Sequence, residues 1–280
     1  MDKKSEITTS VPEPFLGPVF RPGVEPVIAT GFNYRREEID LHGVKKHGAI
    51  DMDVSRGTEI LAAADGYYIA TYGEKLMRND DGSPRKLDME QAHKANPHNK
   101  DLNPPEGEGP WDVYFGSFVV QGWHGNGRYT QYVHVDWVNP KIPYYRPQEV
   151  RDEEGNKTGD LKFSEMLRAT VDEYRSIAVY IKAGEVIAVT GMTGCGWGKR
   201  CYDFAKFDSG KRPDFRDVNY TYYTEPHLHF VVTGRRAPYN RNARAFDPFG
   251  IYRQVNDGYP ESRSEWSVKQ KAAKHSPLWL

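Results

Sequence analysis

The sequence predicts a mainly β protein made of short antiparallel strands. Three observations lead there. Aromatic residues form 13% of the 280 residues, with 18 Tyr among them, and such side chains favour strands. The 26 Gly and 19 Pro punctuate the chain often and leave room for few long helices. The apolar runs are short, as in Leu228-His229-Phe230-Val231-Val232, and turn signals bound them.

Composition bounds the rest. Hydrophobic residues make up 38%, enough for a core in one large domain or two small ones. The 38 Lys and Arg nearly balance the 39 Asp and Glu, so the chain does not read as a nucleic-acid binder or an anionic-membrane binder. No apolar run approaches the roughly 18 residues of a transmembrane segment. Met1 to Ser10 is polar, and no signal peptide is visible in this chain. Two cysteines do not make a disulfide scaffold. Cys195 and Cys201 lie close enough in sequence for one bridge, and two free thiols fit equally.

In chain order, residues 1–26 hold five prolines and read as an extended arm, lying on the domain or free of it. Strand character starts at Val27. Ile60 to Ala70 gives two short strands around Asp65-Gly66. Residues 74–112 are polar and read as a first insertion, with His93 and His98 as solvated loop residues. Val113 to Val138 is a hairpin. Phe118-Val119-Val120 forms one arm and Tyr129 to Val135 the other, with the turn dipeptide Asn126-Gly127 between them. A second insertion, 137–178, carries Phe163, Met166, Leu167, Thr170, Val171 and Tyr174 at helical spacing, which predicts one amphipathic helix. Val179-Tyr180-Ile181 and Val186 to Val189 are strands. The Gly191 to Gly196 loop lacks the Gly-Lys-Ser/Thr ending of a phosphate loop. A third insertion, 197–224, ends in Tyr220, Tyr222 and Tyr223. Residues 251–280 form a polar tail closing on Trp279-Leu280.

The chemistry-bearing stretch is Glu225-Pro226-His227-Leu228-His229-Phe230. Side chains alternate along a strand, so His227 and His229 share one face while Leu228 and Phe230 fill the other. Paired neutral imidazoles suit zinc, and they also suit a solvated strand face. His47 and Asp51 share a face in either a strand or a helix. Within the second hairpin arm Tyr132, His134 and Asp136 share a face.

These motifs resemble the M23 zinc metallopeptidases of the lysostaphin and LytM type. The resemblance rests on Phe32-Asn33-Tyr34-Arg35, His47-Gly48-Ala49-Ile50-Asp51, Gly57-Thr58 through Asp65-Gly66, and Tyr132-Val133-His134. It continues in Lys182-Ala183-Gly184 through Gly194 and in Pro226 to Phe230. It covers residues 28–73, 114–137, 178–196 and 225–250. Asn33 stands where the family has Gly, and the glycine after His47 sits one place early.

The resemblance implies an antiparallel β-sheet core of duplicated-hybrid-motif-like architecture, spanning residues 27–250 and interrupted by the three insertions. It implies one zinc ion held by His47, Asp51 and His229, with His134 and His227 supporting catalysis. His42 is a decoy whose spacing to Asp51 does not match. Tyr34, Tyr132 and Tyr223 are the candidate substrate-binding residues. The implied function is a zinc endopeptidase, acting as a monomer on peptidoglycan stems or cross-bridges. Such an enzyme would be secreted, periplasmic or wall-associated, or phage-encoded and released by lysis. Two rival readings are a non-catalytic module that binds a wall hydrolase and a peptidase on a non-wall substrate.

Overall fold

A computed structural model describes residues 14–30, 48–88, 90–91, 109–125, 127–145, 148–162, 175–193, 195–197, 214–216, 226–233, 245–249 and 278–280. Short strands dominate, as the turn-rich composition predicts. They are β1 Val27–Thr30, β2 Ile50–Asp53, β3 Glu59–Leu61, β4 Gly66–Leu76, β5 Lys86–Leu87, β6 Trp111–Trp123, β7 Tyr129–Val133 and β8 Val135–Val138. The series continues with β9 Tyr144–Tyr145, β10 Gln148–Arg151, β11 Lys157–Lys162, β12 Val179–Ile181, β13 Val186–Thr190, β14 Cys195–Trp197, β15 His227–Thr233 and β16 Ala245–Phe246. No helix among the described residues is long and apolar enough to cross a membrane.

A large, mostly antiparallel sheet runs β1-β2-β15-β7-β6-β4-β11-β10, with β5, β9, β12, β14 and β16 attached to its members. A second sheet, β3-β13-β8, packs against it. Between them lies one core that joins Ile60, Ala62, Val135 and Ile187 to Ile50, Met52, Tyr72, Val120, Leu228 and Phe230. Alternation therefore holds on β15: Leu228 and Phe230 are buried, and His227 and His229 face away from this core. The two strands predicted on either side of Asp65-Gly66 belong to different sheets, and so do β12 and β13. Gly184, at φ +83°, makes the left-handed turn between the latter pair.

The insertion boundaries shift. The first was expected to leave the sheet at residue 74, but β4 runs to Leu76 and β6 starts at Trp111, paired through Leu76 and Tyr114. Long strands fit because Tyr72, Leu76 and Val113 are buried and reward continued pairing. The second insertion contributes β9, β10 and β11, and β11 pairs with β4. The expected helix around 163–174 lies outside the described residues, where Arg175–Ile177 follow as a short helical stretch.

The described part of the proline-rich arm packs into the core. Leu16 is fully buried and bridges in parallel to Trp279 near the other end of the chain. Leu278 is buried, and Trp279 stacks on Phe230 with ring centroids 5.6 Å apart. Leu16 and Trp279 thus lie behind the strand that carries His227 and His229.

At the far end of the β6–β7 hairpin His124 stands between Asp65 and Thr130, with Nδ1 3.0 Å from the Asp65 carbonyl oxygen and Nε2 2.8 Å from Thr130 Oγ1. The carbonyl can only accept, so Nδ1 donates and Nε2 accepts from the hydroxyl. Burial pulls the imidazole down from 6.5 to about 4.

Two stability predictions follow from these contacts. Leu278→Ala should destabilise the protein by about 2–5 kcal/mol, the usual cost of truncating a buried leucine, and urea unfolding would read it. A shift inside error would show that the chain end is not part of the core. For His124, the folded protein binds fewer protons than the unfolded chain between pH 6.5 and 4. Stability is therefore lost as pH falls through that window, by up to about 3 kcal/mol. His124→Gln should flatten this part of the stability profile, and parallel profiles for variant and wild type would refute the assignment.

Candidate metal and catalytic site

The register of β15 builds the site. His229 pairs with Asp51 of β2 on one side and with Val133 of β7 on the other. Directly opposed residues in an antiparallel pair present their side chains to the same face. Asp51 and His229 accordingly meet, with His229 Nδ1 2.8 Å from Asp51 Oδ1. His227 projects to the same face two residues earlier, and its Nε2 lies 3.8 Å from the same oxygen. Side chains here are mostly sheltered: 10% exposed for Asp51, 14% for His227 and 25% for His229, which leaves access from one side.

His134 reaches this face by a different route. Phe230 pairs with Tyr132, and both belong to the core. Regular alternation would send His134 to the core as well. Instead β7 stops at Val133, His134 adopts φ +68°, and β8 departs for the second sheet. The imidazole then lies 4.7 Å from the His227 ring and 5.6 Å from the His229 ring, centroid to centroid. His134 Nδ1 lies 2.6 Å from the Thr193 carbonyl oxygen, so Nδ1 carries the proton and Nε2 is the basic nitrogen. Burial, then the neighbouring His227 and His229, holds the His134 imidazole well below the usual histidine value.

This break corrects the expectation that Tyr132, His134 and Asp136 share a face. Tyr132 is fully buried, and its hydroxyl accepts a hydrogen bond from the Ala63 N–H at 2.8 Å. It ties β7 to the turn between β3 and β4, and its complete burial leaves no surface for a substrate to touch, against the expectation that it binds substrate. Asp136 is buried beneath the site. It accepts from Arg56 and from the Met192 N–H, and desolvation raises its pKa against these two stabilising contacts. A Cβ at position 191 would stand 2.0 Å from Asp136 Oδ1, which is why glycine is needed there. Arg56 also donates to the Phe215 carbonyl oxygen. The Arg56–Asp136 pair thereby anchors the 191–193 loop that backs His134.

His47, Tyr34 and Tyr223 lie outside the described residues, as do His42, Cys201 and any Cys195–Cys201 bridge. Among the described residues no three side chains form a metal-binding group. Asp51 and His229 nevertheless have the chemistry of zinc ligands: a carboxylate oxygen and an imidazole nitrogen, facing each other on rigid neighbouring strands. Two ligand atoms about 2.0–2.2 Å from a tetrahedral zinc are at least about 3.3 Å apart, so this pair, at a hydrogen-bond distance of 2.8 Å, would have to open slightly to share an ion.

Sequence reasoning missed Ser117, Thr193 and Arg56. Thr193 stood in a noticed Gly-rich loop. Ser117 and Arg56 gave no local signal, because their partners are distant in sequence.

No protein-family model matches the chain, and no curated protein matches it. Solved structures similar to it are M23 and lysostaphin-type peptidases. One is a zinc-containing peptidase from Vibrio cholerae, at 16% identity and TM-score 0.33, covering 80% of this chain and 39% of that one. Another is the antimicrobial peptidase lysostaphin from Staphylococcus simulans, at 14% identity and TM-score 0.33, covering 79% of this chain and 47% of that one. A third is the catalytic domain of the prophage-encoded M23 protein EnpA from Enterococcus faecalis, at 13% identity and TM-score 0.31, covering 83% of this chain and 95% of that one. The chain thus spans less than half the length of the first two.

Proposed function

We propose that this chain is a zinc-dependent endopeptidase that cuts peptide bonds in peptidoglycan stems or cross-bridges. The observation that carries the reading is the cross-strand meeting of Asp51 and His229, with two further imidazoles on the same face. Four polar groups gathered on one sheltered face of a sheet serve packing poorly and serve chemistry well. The peptidoglycan substrate rests on the motif resemblance, and the wall-facing location follows from that substrate.

In this reading Asp51 and His229 hold the metal together with His47. Zinc, when bound, supplies a Lewis acid for the scissile carbonyl and a bound water acidic enough to ionise near neutral pH. His134 Nε2, unprotonated because Nδ1 bonds to Thr193, accepts the proton of the attacking water and passes it to the leaving amine. His227 hydrogen-bonds the oxyanion as the carbonyl becomes tetrahedral. The insertions wall the groove, Tyr223 contacts the peptide from the end of the third, and Tyr34 contacts it from the segment before His47.

Purified peptidoglycan incubated with the protein should release new amino termini, identified by fragment mass spectrometry. A chelator should abolish the release, and added zinc should restore it. Chelator-insensitive cleavage, or none with zinc present, would sink the reading. The roles separate by substitution. His229→Ala should lose bound zinc and activity together. His134→Ala and His227→Ala should retain most of the zinc and lose turnover by about 100-fold or more. Equal zinc loss in all three variants would show that the roles are misassigned.

A further inference from the structure

The left-handed residue at the centre of the site needs support, and the supporting group is Ser117. Positive φ is uncommon for a residue with a side chain and costs energy unless its surroundings hold it. Leaving the ladder also takes the His134 N–H away from a strand partner, and a buried N–H must find another acceptor. β6 and β7 are paired up to Val119 and Val133. Two residues beyond, on the same face as Val119, Ser117 stands where β7 has already departed. Its Oγ accepts the His134 N–H at 2.9 Å. The same Oγ lies 3.2 Å from the Thr193 carbonyl oxygen, the atom that receives the His134 Nδ1 proton. Thr193 closes the bracket: its Oγ1 accepts from Phe118 N–H at 3.2 Å and donates to the Val135 carbonyl at 2.8 Å. Ser117 and Thr193 are both almost completely buried.

We infer that Ser117 is a positioning residue for His134: its hydroxyl holds the left-handed backbone that turns the imidazole away from the core and onto the face of Asp51, His227 and His229. It touches neither substrate nor metal and acts through His134. A side chain without a hydroxyl at 117 would leave the flipped N–H unbonded, and the backbone would relax toward the regular strand. The imidazole would then leave the face it serves. This inference rests on the proposed peptidase reading for its kinetic arm alone.

The test is a double-mutant cycle with a spectroscopic arm. Ser117→Ala should lower kcat by about 10-fold or more, with KM within twofold and zinc content unchanged. In a His134→Ala background the same substitution should change the residual rate by less than twofold, because the group it positions is gone. Ser117→Cys, nearly isosteric and a weak acceptor, should show the same loss and guards against a folding defect in the alanine variant. Nitrogen-15 spectra of the imidazoles in metal-free protein should show His134 as a single Nδ1–H tautomer in wild type and as a mixture in Ser117→Cys. An equal fall in rate in both backgrounds, or an unchanged His134 spectrum, would overturn the inference. Wild-type protein that cleaves no peptide would instead count against the proposed function, and the spectra would still decide the role of Ser117.

Discussion

The placement of β15 between β2 and β7 is the constraint on which the site depends. Strand periodicity is two, so a slip of one residue would bury His227 and His229 and expose Leu228 and Phe230. The core prevents that slip. Leu228, Phe230 and Val232 are completely buried, and the fully buried Tyr132 stands opposite Phe230 with its hydroxyl bonded to the turn between β3 and β4. The same register that fills the core brings His229 opposite Asp51. Hydrophobic packing and the meeting of Asp51 with His229 are thus two faces of one pairing. Trp279, stacked on Phe230, extends that support to the end of the chain.

Sequence made the mainly β class legible, because alternation and turn residues are local signals. The β6–β7 hairpin and the two faces of β15 were readable for the same reason. Other features depend on contacts between distant residues. Nothing near Ser117 announces that it will receive the His134 N–H, seventeen residues away. The same holds for Arg56 and Asp136, eighty residues apart. The sheet to which a strand belongs was equally hidden. The two short strands read around Asp65-Gly66 pair in separate sheets, β3 with β13 and β4 with β6, partners distant in sequence.

Among the described residues, strand parity failed at His134. Parity placed it with Tyr132, and the left-handed backbone sends it to the opposite face. Strain of this kind persists only where surrounding contacts over-determine it. Here Ser117, Thr193 and the Arg56–Asp136 pair supply those contacts from three separate stretches of chain. The departure also does architectural work. His134 is the single residue between β7 and β8, so the bend that delivers the imidazole is the bend that carries the chain from one sheet to the other.

That coincidence explains why the site costs the fold little. An imidazole placed mid-strand in left-handed geometry would break a ladder that nothing else needed broken. At a sheet crossover the ladder must end regardless, and only the freed N–H needs a new acceptor. One buried serine meets that need. Further polar atoms on this side of the sheet show where consistency between folding and other demands is incomplete. Gln131, on the same face as Val133, is fully buried, and among the described residues neither Nε2 nor Oε1 finds a partner. A buried amide without partners lowers stability, and an apolar residue of that shape would serve the core better. Natural chains depart from self-consistency most often beside working sites. Here both departures, the left-handed His134 and the buried Gln131 amide, lie on the short strand β7 or at its end, and β7 pairs with the strand that carries His229.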